Sequence, residues 1–92
     1  MSFAGKLVAI AGAAGGIGQA LCRRFGHEGA SIAAIDRSSS VHDFASALTK
    51  DGIAAEAEVV DIADAGAVAE AFQRLARPLK PLAHILYADR RH

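Results

Sequence analysis

Apolar residues along the chain alternate between short unbroken runs and helical spacing. Leu7-Val8-Ala9-Ile10 is an unbroken run, the pattern of a strand buried on both faces. Ile17, Leu21 and Phe25 then recur at i, i+4 and i+8, which predicts a first helix resting on that stripe. Gly26 and Gly29 offer its C-terminal stop. Ala30 to Ile35 forms a second run, closing in Asp36. Val41, Phe44 and Leu48 fall on one face of a second helix. Ser40, with Asp43 three residues on, predicts a capping box at its start, and Lys50-Asp51-Gly52 its end. Ile53 to Asp61 reads as a third strand, and its alternating Glu56 and Glu58 place one face or one edge in water. Asp64 is positioned to cap a third helix with the stripe Val68, Phe72 and Leu75, flanked by Ala69 and Ala76. Pro78 ends that helix and Pro81 keeps the connection extended. Leu82 to Tyr87 is the fourth strand. Strand and helix in strict succession predict parallel strands joined by right-handed crossovers.

Composition narrows the picture. Ninety-two residues make one small domain at most, and 52% hydrophobic content excludes disorder. With few aromatics, the core is aliphatic. Ten basic and ten acidic residues cancel, which gives no sign of a nucleic-acid or membrane partner. The basic residues from Arg74 to Arg91 read as a solvated face and tail. The single cysteine, Cys22, allows no internal disulfide, and no activating base lies near it in sequence. His42 falls off the apolar face of its helix with no ligand spacing around it, so no metal site is expected. Without a signal region or a long apolar run, the expected location is the cytoplasm.

The chemistry lies between the first strand and the first helix, in Gly12-Ala13-Ala14-Gly15-Gly16-Ile17-Gly18. Strand, glycine loop and helix together are the setting of a nucleotide-phosphate site. Gly12 permits the tight turn out of the strand, Gly16 lets backbone approach a pyrophosphate, and Gly18 lets the helix pack closely. The helix start brings unpaired N–H groups and the positive end of its dipole. Asp36 stands 18 residues after Gly18, near the ~20-residue distance of a ribose-binding acid. Its charge favours ribose hydroxyls and repels a 2′-phosphate, so NAD is expected over NADP.

The spacing G-x-x-x-G-x-G, ending Gly16-Ile17-Gly18, resembles the short-chain dehydrogenase/reductase family. Ala11 stands where that family usually has Thr. Gly15 also fits the G-x-x-G-x-x-G of epimerase-like relatives. The resemblance implies a Rossmann-like doubly wound α/β fold, with about four parallel strands in the order 3-2-1-4 and three helices. It implies a cofactor site formed by Gly12, Ala14, Gly15, Gly16, Ile17 and Gly18, with Asp36 and Arg37 at the ribose, Asp61 at the adenine amino group and Ile62 covering the ring. Asp36-Arg37 looks like the family's NAD-preferring pattern, and neither Ala13 nor Ala14 is the basic residue that NADP-preferring relatives carry. For Asp61, capping of its own turn is the competing role.

The resemblance covers nearly the whole chain, with residues 1–92 expected to form one partial NAD-binding domain, and it departs after Tyr87. Where the family reads Asn-Asn-Ala-Gly, this chain reads Ala88-Asp89-Arg90-Arg91. The family's Ser and its Tyr-x-x-x-Lys pair are not among these residues. Tyr87, followed four residues later by Arg91, sits at a strand end, and Arg does not replace a tunable Lys. The expectation is therefore the truncated front of an NAD-dependent oxidoreductase, inactive alone. A non-catalytic nucleotide-binding or dimerisation module is the alternative. An uncovered fourth strand predicts self-association as a two-fold dimer.

Overall fold

The computed structural model describes residues 3–75 and 82–87. Its elements are β1 (Leu7–Ala11), α1 (Gly16–His27), β2 (Ser31–Asp36), α2 (Ser40–Lys50), β3 (Ala55–Val59), α3 (Ala65–Leu75) and β4 (Leu82–Tyr87). All strand pairs are parallel, and the sheet order is β3-β2-β1-β4, as the family resemblance implied. The predicted connection through Ala76, Pro78 and Pro81, the side chain of Leu75, and the tail from Ala88 to His92 lie outside what is described.

The unbroken apolar runs are explained by a sheet covered on both sides. Val8 and Ile10 of β1 and Ile32 and Ala34 of β2 face one core, shared with Cys22 of α1 and Val41, Phe44 and Leu48 of α2. Leu7, Ala9 and Ala11 alternate with them and face the other core, with Ala33, Ile35, and Val68, Ala71 and Phe72 of α3. Every residue of β1 is buried. β3 is an edge strand, which accounts for its exposed Glu56 and Val59. The Glu58 carboxylate accepts a hydrogen bond from the Arg74 guanidinium at 2.7 Å, tying α3 to this edge, so Arg74 is not merely a solvated cation.

Several local expectations are corrected. The face of α1 turned to the sheet carries Gly18 and Cys22, while Ile17 is 52% exposed and Leu21 and Phe25 are only partly buried. Small residues win that face because the helix must approach the sheet and loop closely. Leu21 and Phe25 still pack against the core beside Cys22, as expected, and Phe25 also meets Phe3 edge-to-face at 5.0 Å. Gly26 lies inside α1, where Ile53 presses against it; Gly29, at φ 96°, makes the reversal after the helix.

No capping box forms on α2. The N-cap is Ser39, with no side-chain cap bond, and the Ser40 hydroxyl pairs with that of Ser38 at 2.8 Å. β3 is shorter than expected because its pairing follows β2 only from Ile32 to Asp36; Ile53 is buried in the connection before it. On α3, Asp64 does cap, its Oδ1 accepting the Ala67 N–H at 3.1 Å, but Ala71 rather than the exposed Ala69 completes the buried stripe.

Candidate functional site

The glycine loop leaves β1 at the C-terminal end of the sheet. Gly12 takes φ 85°, a conformation that L side chains rarely adopt. The Gly12 and Ala13 N–H groups both donate to the Ile35 carbonyl, at 2.7 and 3.1 Å, so the loop is fastened across to the end of β2. Gly15 N–H returns to the Gly12 carbonyl at 3.2 Å, and α1 begins there. The N-cap is Gly15, which has no side chain, and the first turn carries no acidic residue. The helix start is thus left without an internal anion, which fits it to receive an external one.

Gly16 and Gly18 do different work. A β-carbon on Gly16 would meet nothing within 4 Å, so its outer side is open space. One on Gly18 would strike the Gly12 carbonyl oxygen and lie 2.7 Å from the Ala13 Cα. Gly18 is therefore the close-packing glycine, and its role is in the seating of helix on loop.

Asp36 ends β2 and is 8% exposed. Its Oδ2 accepts the Ala14 N–H at 2.9 Å, and its Oδ1 accepts the Ser38 N–H at 3.0 Å. A cavity of about 330 Å³ opens beside it, lined by Gly12, Ala14, Gly15, Asp36, Arg37, Ser38 and Ser40. Five of the expected residues thus share one cavity, together with two serines not expected there. Their signal was the triplet Ser38-Ser39-Ser40 directly after Asp36-Arg37, which suggested a helix cap first.

Gly16, Ile17 and Gly18 follow on from the loop as the first turn of α1 and do not line this cavity. Neither do Asp61 and Ile62. Asp61 is exposed and holds its own turn, Oδ1 accepting the Ala63 N–H at 3.0 Å. Ile62 is 5% exposed and packs in the α3-side core. The chain before them is fixed beside Asp36, since the Val60 N–H donates to the Asp36 carbonyl at 2.8 Å. Cys22 is fully buried, and burial pushes its thiol up to about 12, away from nucleophile chemistry. Among the described residues no group of three or more His, Cys, Asp or Glu side chains could hold a metal, and no helix is long and apolar enough to cross a membrane.

The model of the short chain dehydrogenase family matches residues 6–88. The chain belongs to this family. It is similar to 2,3-dihydro-2,3-dihydroxybenzoate dehydrogenase of Bacillus subtilis, at 38% identity over 85% of this chain and 30% of that protein. Among solved structures it resembles 2-keto-3-deoxy-D-gluconate dehydrogenase from Streptococcus agalactiae, at 29% identity and TM-score 0.76, over 91% of this chain and 32% of the other. A putative D-mannonate oxidoreductase from Haemophilus influenza, with bound NAD, shares the fold at TM-score 0.80 and 19% identity, over 91% of this chain and 30% of the other. The chain therefore spans about a third of the length of these relatives. It corresponds to the NAD(P)-binding N-terminal part of a short-chain dehydrogenase, and the family's catalytic residues are not among its 92.

Proposed function

We propose that this chain is one partial dinucleotide-binding domain that holds the adenosine and pyrophosphate half of a nicotinamide cofactor, NAD in preference to NADP. The observation that carries the reading is the buried Asp36 carboxylate on the wall of the cavity beside the glycine loop. Each of its oxygens accepts one backbone N–H and keeps a lone pair for a ribose hydroxyl. Charged hydrogen bonds of this kind are worth ~1.5–3 kcal/mol. The same charge disfavours a 2′-phosphate.

The remaining roles follow the surfaces on offer. Gly15, Gly16, Ile17 and Gly18 present the start of α1 to the pyrophosphate. Gly12 and Ala14 shape the loop under it. Arg37, on the cavity wall, packs over the adenine. Asp61 is the candidate for the adenine amino group, through the oxygen not used in its own turn.

When bound, the nicotinamide ring supplies or accepts hydride. In a full-length dehydrogenase that step, between NAD and an alcohol or carbonyl substrate, needs the family's Ser and Tyr-x-x-x-Lys, which are not among these 92 residues. The part of the task that these residues serve is binding and orienting the cofactor.

Self-association through β4 belongs to the same reading. Among the described residues β4 pairs with β1, and a strand edge can pair with that of a second copy. A dimer mass by light scattering is expected, and a monodisperse monomer rejects it.

Calorimetric titration with NAD, NADP and AMP tests the cofactor reading. NAD and AMP should bind with similar affinity and NADP more weakly. No binding of any of the three overturns it.

A further inference from the structure

The Asp36 carboxylate is already engaged before any ligand is considered. It is held from two directions, by the Ala14 N–H of the loop and by the Ser38 N–H of the segment after β2. The loop's other ties across to β2, from Gly12 and Ala13, end on the main-chain carbonyl of Ile35 and survive any side-chain change. The peptide groups around Ala14 are different. The Ala14 N–H ends on the Asp36 carboxylate, and its carbonyl accepts from Gln19 Nε2 at 2.9 Å. The side chain of Asp36 thus sets the orientation of the loop just before Gly15 and Gly16, where α1 starts.

We propose that Asp36 is the positioning residue of the glycine loop, shaping it for phosphate in addition to facing the ribose. This rests on reading the loop as a dinucleotide site. The two roles predict opposite signs for the simplest phosphate probe, inorganic pyrophosphate, which carries no ribose. If Asp36 only reads ribose, Asp36→Ala removes a negative charge from the neighbourhood and pyrophosphate binding holds or strengthens. If Asp36 positions the loop, the Ala14 N–H loses its acceptor, the loop loosens, and pyrophosphate binding weakens despite the more favourable charge. Asp36→Asn removes the charge and keeps one accepting oxygen, enough for the Ala14 N–H or the Ser38 N–H but not for both, so it retains part of the clamp.

The test is amide hydrogen exchange at Ala14 in the ligand-free chain, read against the amides of β1, with NMR titration of inorganic pyrophosphate into the same samples. Asp36→Ala should speed Ala14 exchange by about tenfold, the equivalent of one lost hydrogen bond, while β1 amides stay protected. Pyrophosphate affinity should fall by a similar factor. Asp36→Asn, with one accepting oxygen in place of two, should fall between Asp36→Ala and wild type in both protection and affinity. Unchanged Ala14 exchange in Asp36→Ala, or pyrophosphate binding at least as tight as wild type, overturns the proposal. Should Asp36→Ala fail to fold, Asp36→Asn and Asp36→Ser replace it, and Ala14 exchange as slow in Ser as in Asn overturns the clamp. If the wild-type chain binds neither NAD nor pyrophosphate, the cofactor reading fails, and exchange at Ala14 still decides whether Asp36 holds the loop.

Discussion

Gly18 of α1 is seated directly against Gly12 of the loop, with no room between them for a β-carbon. The consequence is a reversed sign. Gly to Ala inside a helix ordinarily stabilises by about 1 kcal/mol. Here the added methyl would press on the Gly12 carbonyl and on the Ala13 Cα, which are backbone and cannot rotate away. Overpacking of this kind costs about 1–3 kcal/mol. Gly18→Ala should therefore lower the melting temperature by several degrees. A thermal melt showing an unchanged or raised midpoint would contradict the contact.

Gly16 is the matched control. A β-carbon there enters open space, so Gly16→Ala should fold as wild type and be equal or slightly higher in stability. That open space is also where the proposed pyrophosphate approaches the backbone. Gly16→Ala should weaken NAD binding about tenfold, near 1.4 kcal/mol, and the larger Gly16→Val should abolish it. Melting and titration on the same samples separate the two glycines, since Gly18→Ala loses stability and Gly16→Val loses binding alone. Full NAD binding by Gly16→Val would remove Gly16 from the site.

The parts legible in the sequence are those set by period and by special backbone. Continuous runs marked β1 and β2 as strands buried on both faces, Glu56 and Glu58 marked β3 as an edge, and Gly12 marked the turn. Of the residues the sequence singled out for the proposed site, Gly12, Ala14, Gly15, Asp36 and Arg37 share a cavity. The face of α1 was legible in part. Leu21 and Phe25 pack against the core, but Ile17 is exposed, and a pattern of apolar side chains gives no weight to glycine, so the line of closest approach through Gly18 and Cys22 did not show. Ile62 carries a second role that the resemblance did not imply, since the two-sided sheet places an apolar side chain over the α3-side core at that position.

Capping gives a second matched pair. Asp64 accepts the Ala67 N–H, satisfying one of the free donors at the start of α3. Ser39 at the start of α2 makes no such bond. Asp64→Ala should cost about 1 kcal/mol in urea denaturation, and Ser39→Ala should stay within about 0.5 kcal/mol of wild type. Equal effects would mean that the two helix starts are not capped as described.

Cys22 links the core to pH. Desolvation lifts its thiol from an ordinary 9.0 to about 12, against a smaller downward pull from Arg23. Below pH 9 the thiol is neutral in both folded and unfolded chains, so it contributes no slope. Above pH 9 the unfolded thiol ionises while the folded one keeps its proton. The unfolded state then binds fewer protons, and stability falls as pH rises toward the folded value. The slope approaches 1.4 kcal/mol per pH unit at its steepest. The informative quantity is a difference between two chains. Cys22→Ala lowers stability at neutral pH by leaving a small void, but it should lose less than wild type between pH 9 and 11. Parallel stability curves for the two chains would show that the thiol is not shielded, and rapid labelling of native Cys22 by a thiol reagent at pH 8 would show the same independently.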